Sequence, residues 1–164
     1  MLVKKGSSST SRRHTGGFTL IELVTAITIM AVLAGLAAPS FSSFIANQRI
    51  RNVSFDLMAA LMLARSEAVT RNGNVSFVKT GEDWSAGWKV QFGTNDILNQ
   101  QALSNLSITD SADLSTITYG KDGRANTGAT RFTIAPSSEM SGVSSRCITI
   151  GTSGLPSSRV GACS

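Results

Sequence analysis

A run of 21 residues, Phe18 to Ala38, reads FTLIELVTAITIMAVLAGLAA and contains a single charge, Glu22. As a helix rising 1.5 Å per residue it is roughly 31 Å long, the thickness of a bilayer's hydrocarbon core. The run therefore predicts a membrane-spanning helix. Residues 1–17 before it are polar and basic, with Lys4, Lys5, Arg12 and Arg13 and no acid, and cannot build a core. Basic residues ahead of an apolar run stay cytoplasmic, so the C-terminal part is expected to face out.

Three kinds of N-terminus fit such a run. An ordinary secretory signal would be cut after it, near Leu36-Ala37-Ala38, but Pro39 follows immediately and disfavours that cut. A plain single-pass anchor accounts for everything except Glu22. A carboxylate at bilayer depth costs roughly 2.5–3.5 kcal/mol, which points to a function and a partner. Cleavage between Gly17 and Phe18 supplies that partner: Glu22 becomes the fifth residue of the mature chain, and a neighbour's new α-amino group can neutralise it.

Charge and composition narrow the rest. The full chain of 164 residues is formally +5, yet without the four leading cations it carries 11 basic against 10 acidic residues. Net charge is therefore no argument for nucleic-acid binding. The lone histidine, His14, precedes the cut, so the mature chain has no Ser/His/Asp set. P-loop, GxSxG and dinucleotide fingerprints are absent as well, so no enzyme, cofactor or metal is expected. Glu82-Asp83 reads as a solvated loop, and Asp110-x-x-Asp113 offers too few carboxylates for calcium. Two buried free thiols would account for Cys147 and Cys163. An even pair closing a short loop in an exported chain reads better as one disulfide, contributing roughly 3 kcal/mol.

After Pro39 an apolar stripe runs through Phe41, Phe44, Ile45, Val53, Leu57, Ala60, Leu61, Ala64 and Ala68 at three- and four-residue steps. Arg71-Asn72-Gly73-Asn74 reads as its C-cap with a basic residue in the last turn. One helix is expected from about Phe18 to Asn72, with a bend allowed near Pro39. Beyond it the period falls towards two. Strands are expected at Asn74–Lys79, Gly87–Phe92, Ser115–Tyr119, Arg131–Ala135, Arg146–Ile150 and near Ser158–Ala162. Trp84 and Trp88 are expected to pack on the helix.

The stretch Gly16-Gly17-Phe18-Thr19-Leu20-Ile21-Glu22-Leu23 resembles the class III signal of type IV pilins and type II secretion pseudopilins. Leu61-Met62-Leu63-Ala64-Arg65-Ser66-Glu67-Ala68-Val69, followed by a turn, a strand and Gly87-Trp88, resembles GspH/FimT-like minor pilins. The C-terminal Cys-strand-turn-strand-Cys is similar to FimU/FimT-type proteins. This resemblance implies a pilin-like α+β fold, with a long N-terminal helical spine on small antiparallel sheets. It divides the chain into a leader (1–17) removed by prepilin peptidase, a transmembrane and assembly half-helix (18–38), an amphipathic half-helix (39–72) and a β-rich domain (73–164). It also implies N-methylation of Phe18 and assembly with other pilins or pseudopilins through Glu22. The function implied is a minor subunit of a type IV pilus or a type II secretion pseudopilus, acting in filament priming or at the tip. In a pilus the subunit would become extracellular, and a major pilin is the weaker variant of the reading.

The alternative is a DNA-binding minor pilin for uptake in transformation. From residue 114 onward Lys121, Arg124, Arg131, Arg146 and Arg159 face only Asp122 and Glu139, and arginines on strand ends track phosphates. FimT-like proteins that bind DNA use Gly-Arg-x-Arg. Neither Gly154-Leu155-Pro156-Ser157-Ser158-Arg159 nor Gly123-Arg124 reproduces it, and on charge count solvated arginines account better for the segment.

Overall fold

The computed structural model describes residues 17–164, without the side chains of residues 36–40. Of the expected leader, residues 1–16 lie outside the described residues, as do the side chains of Leu36, Ala37, Ala38 and Pro39. The chain divides into two compact units between Ala38 and Pro39. Helix α1 is assigned over Leu20–Thr70.

In the first unit the helix follows Thr19, whose Oγ1 accepts from the Glu22 amide at 3.3 Å. This satisfies one of the orphan N–H groups of the first turn. The Thr25 hydroxyl donates to the carbonyls of Ile21 and Glu22, and the Thr28 hydroxyl to that of Val24. The helix thus satisfies these two threonine hydroxyls with its own carbonyls. Among the described residues no helix is long and apolar enough to cross a membrane. The described side chains of the apolar run stop at Gly35.

In the second unit α1 ends in a Schellman turn. Asn72 adopts φ 50°, the Gly73 amide donates to Ala68 O, and the Asn72 amide to Val69 O. Arg71 falls just past the last helical residue rather than in the last turn. It pairs with Glu67 at 2.5 Å and lies 5.2 Å from the centre of the Phe92 ring.

Eight strands follow: β1 Val75–Lys79, β2 Trp88–Phe92, β3 Asn95–Gln100, β4 Leu106–Asp110, β5 Thr116–Tyr119, β6 Thr130–Pro136, β7 Arg146–Ile150 and β8 Pro156–Val160. They form two antiparallel four-stranded sheets ordered β3-β2-β1-β5 and β4-β6-β7-β8. Two of them, β3 and β4, were not expected. The last strand begins at Pro156, two residues before its expected start. One side of the helix, Ile50, Val53, Leu57, Ala60, Leu61, Ala64 and Ala68, joins Val75, Phe77, Val90 and Ile117 of one sheet and Ile108, Phe132, Ile134 and Ile148 of the other in a single core. Trp84 does more than pack on the helix. Its ring stacks on Phe77 at 4.9 Å and meets Phe132 edge-on at 5.1 Å, so it joins the two sheets. A one-turn 3-10 helix, Trp84–Ala86, presents it.

Candidate functional site

The helix start carries the first group of candidates. Gly17 and Phe18 precede α1, and Phe18 is 84% exposed. Thr19 and Glu22 stand as N-cap and N3 of the T-x-x-E pattern, so Glu22 occupies the first turn, where the helix dipole favours a negative charge. Its carboxylate is bonded to none of the described residues. The capping role of Thr19 was legible in that four-residue pattern but absent from the sequence reading. Leu20, Ile21, Leu23, Val24, Ile27, Ile29, Met30, Val32 and Leu33 all lie exposed on this unit. An apolar surface that continuous exceeds what a water-soluble monomer presents.

The arginines form no single patch. Register fixes their faces, because side chains alternate across a strand. Arg131 pairs with Thr149, and Arg159 with Cys147. Both therefore point to the sheet's outward face, about 12 Å apart by strand spacing and rise. Arg146 pairs with Ile134 on the core side and donates to Ser158 Oγ at 3.3 Å. Arg124 sits apart, in the β5–β6 loop. The two glycine turns nevertheless meet. A Cβ on Gly154, at φ 77°, would lie 2.3 Å from Gly123 O.

Cys147 and Cys163 form a disulfide that ties the segment after β8 across the outward face. There the Cys163 amide donates to Thr133 Oγ1 at 3.2 Å.

Asp83, Asp96 and Asp110 are engaged by their own surroundings. Asp83 caps the 3-10 turn, accepting from Ser85 Oγ at 2.6 Å and from the amides of Ser85 and Ala86, and its bond from the Ser85 hydroxyl holds its carboxyl below the usual value. Asp96 accepts from Lys89 at 2.6 Å and from Gln91 at 2.6 Å, which lowers its pKa in the same way. Asp110 accepts from the amides of Ala112 and Leu114 and from the Thr130 hydroxyl, so it organises its own loop. Among the described residues no group of three or more His, Cys, Asp or Glu side chains is placed to hold a metal.

Comparison with known proteins places these features in context. Residues 55–154 match the family described as type II transport protein GspH, and residues 12–38 match the prokaryotic N-terminal methylation motif. A fimbrial protein of Pseudomonas aeruginosa is 28% identical over 97 residues, covering 59% of this chain. The match spans 61% of that relative's length. The fold is similar to that of the type IV minor pilin FimU of Pseudomonas aeruginosa, with a TM-score of 0.60 at 18% identity over 74% of this chain and 92% of that one. It is also similar to the minor pseudopilin EpsH of the Vibrio cholerae type 2 secretion system, with a TM-score of 0.51 at 16% identity over 70% and 97% of the two chains. These relatives are structural pilins, not enzymes.

Proposed function

The chain belongs to the GspH family of type II transport proteins, a minor pilin and pseudopilin family, and from that membership we propose a single-pass inner-membrane subunit that primes or tips a pilin-type filament. The carrying observation is the first unit. An unbroken apolar surface over Leu20–Leu33 holds one carboxylate, in the first helical turn directly after Gly17-Phe18. Lipid satisfies the apolar side chains and leaves Glu22 costly. Prepilin peptidase cuts after Gly17, and the methylated amine of Phe18 on a neighbouring subunit offsets that cost, so the same helix anchors the precursor and selects the filament. The leader stays cytoplasmic and residues 39–164 face the periplasm.

Intact-mass and terminal-peptide spectrometry of protein recovered from membranes tests this. The expected N-terminus is methylated Phe18. A retained leader, or any other N-terminus, overturns the reading.

A second reading, DNA capture, rests on Arg131 and Arg159 sharing the outward sheet face among Thr109, Thr133, Thr149 and Ser157. Two cations about 12 Å apart on one polar face can reach separate phosphates of a duplex. Gel shifts of the full chain in detergent should weaken with salt and with Arg131→Ala/Arg159→Ala, and should be indifferent to Arg146→Ala. Failure to bind at low salt ends this reading.

A further inference from the structure

Strand β8 is the last strand of its sheet, and its outer edge is unpaired. The Gly161 amide donates to Ser145 O at 2.8 Å, which makes that pair a hydrogen-bonded one and alternates the pattern up the hairpin. Arg159 and Ser157 therefore bond inwards to β7. Pro156, Ser158 and Val160 turn their backbone groups outwards. Pro156 fits this phase, because an outward residue needs no N–H for its own sheet. The open edge offers N–H and C=O groups at Ser158 and Val160.

The helix runs beside that edge. Ser54 Oγ lies 3.2 Å from Ser158 Oγ, and Arg65 Nε donates to Gly123 O, which abuts Gly154. From Ser54 to Arg65 the helix advances about 16 Å, and from Ser158 back to Gly154 the strand covers about 13 Å, so the two run alongside one another. On the same flank Phe55, Met62 and Val69 recur every seven residues, each more than half exposed. They line a lane about 21 Å long, the length of a six-residue strand. Arg51 stands one turn before Phe55 on the helix, Arg146 lies on the core side of the sheet and Arg159 on its outward face, and none forms an ion pair among the described residues.

We propose that the gap between the β8 edge and the Phe55–Met62–Val69 row takes an extended strand from another protein, with apolar side chains towards the helix and acidic side chains outwards. The open edge supplies main-chain affinity, the helix row selects alternate apolar residues, and Arg159 on the outward face selects acids between them. Nothing in this assignment depends on the filament reading.

The probe is a synthetic decapeptide of alternating valine and glutamate, titrated into the full chain in detergent. A peptide of the same composition in two blocks is the control. Amide exchange at Ser158 and Val160 should slow tenfold or more with the alternating peptide alone. Val160→Pro removes only an outward donor, and Met62→Lys alters an exposed side chain. Each should weaken binding at least tenfold while Thr109→Lys leaves it unchanged. If Val160→Pro unfolds the chain, Met62→Lys decides. The proposal falls if both peptides bind alike, if protection appears at another strand, or if the folded variants bind normally. It falls too if protection at Ser158 grows with protein concentration alone, because a second copy then holds the edge.

Discussion

The Nε–H of Arg65 donates to the carbonyl oxygen of Gly123 at 2.9 Å, so a helix side chain positions the loop between β5 and β6. Gly154 closes on the same oxygen in a conformation that favours glycine. Arg65→Ala should cost about 1–2 kcal/mol in chemical denaturation, the range for a lost charged hydrogen bond and packing. Gly154→Ala should cost more, because it adds backbone strain to a collision with a fixed carbonyl. A Gly154→Ala protein as stable as the parent would disprove the contact.

Alkali should destabilise the domain through Tyr119. Burial pushes its hydroxyl from 10.0 up to about 12, and that hydroxyl has no hydrogen-bond partner among the described residues. The neutral form is favoured when folded. The contribution is therefore complete below pH 10 and lost as pH rises through about 12, at up to about 1.4 kcal/mol per pH unit. Thermal melts between pH 9 and 12 should show this slope in the parent and a shallower one in Tyr119→Phe. At neutral pH Tyr119→Phe should be no less stable than the parent, since it removes a buried polar atom without a protein partner.

Glu22 and Thr19 should separate in their effects. Thr19→Ala removes the cap and should cost about 1 kcal/mol of local helix stability, read as faster amide exchange at Glu22. Glu22→Gln keeps the shape and drops the charge. Membrane insertion should persist, and recovery in sheared filaments or pseudopili should fall by roughly 70- to 400-fold, in line with the ~2.5–3.5 kcal/mol cost of a charge at bilayer depth. Normal recovery of Glu22→Gln would remove the proposed pairing with a neighbour's amine.

Reduction of Cys147–Cys163, or its replacement by a serine pair, should lower stability by roughly 3 kcal/mol on the loop-entropy estimate. The loss should appear first as exchange at β7 and β8 and at the Cys163 amide, which is held by Thr133. Equal melting with and without reductant would contradict it.

Much of this architecture is legible in the residues. The helix end could be placed because Asn72-Gly73 supplies the turn, and six strands because their apolar positions alternate. Strand β3 escaped because Asn95, Asp96, Asn99 and Gln100 make it mostly polar. As an edge strand, it is held in part by Asp96 gripping Lys89 and Gln91. Strand β4 does alternate, Leu106-Ser107-Ile108, so its pattern was legible in the residues, but nothing in that pattern names β6 as its partner. The role of Trp84 was hidden for the same reason, since Phe132 belongs to a different sheet. The scatter of the four C-terminal arginines depended on register, which charge counting does not contain.

The sheets are also interleaved in chain order. Strand β4 joins the second sheet, while β5 returns to the first and pairs Ile117 with Phe77. With Trp84 wedged between Phe77 and Phe132, neither sheet can close its core before the other has begun to form. Folding of residues 39–164 is then a single late event dominated by distant pairings, and slow for a domain of this size. A chain emerging N-terminus first would hold its aromatic centre open until Phe132 of β6 arrives. The interval before folding is complete, rather than final stability, is where such a domain is most open to proteolysis and to chaperones.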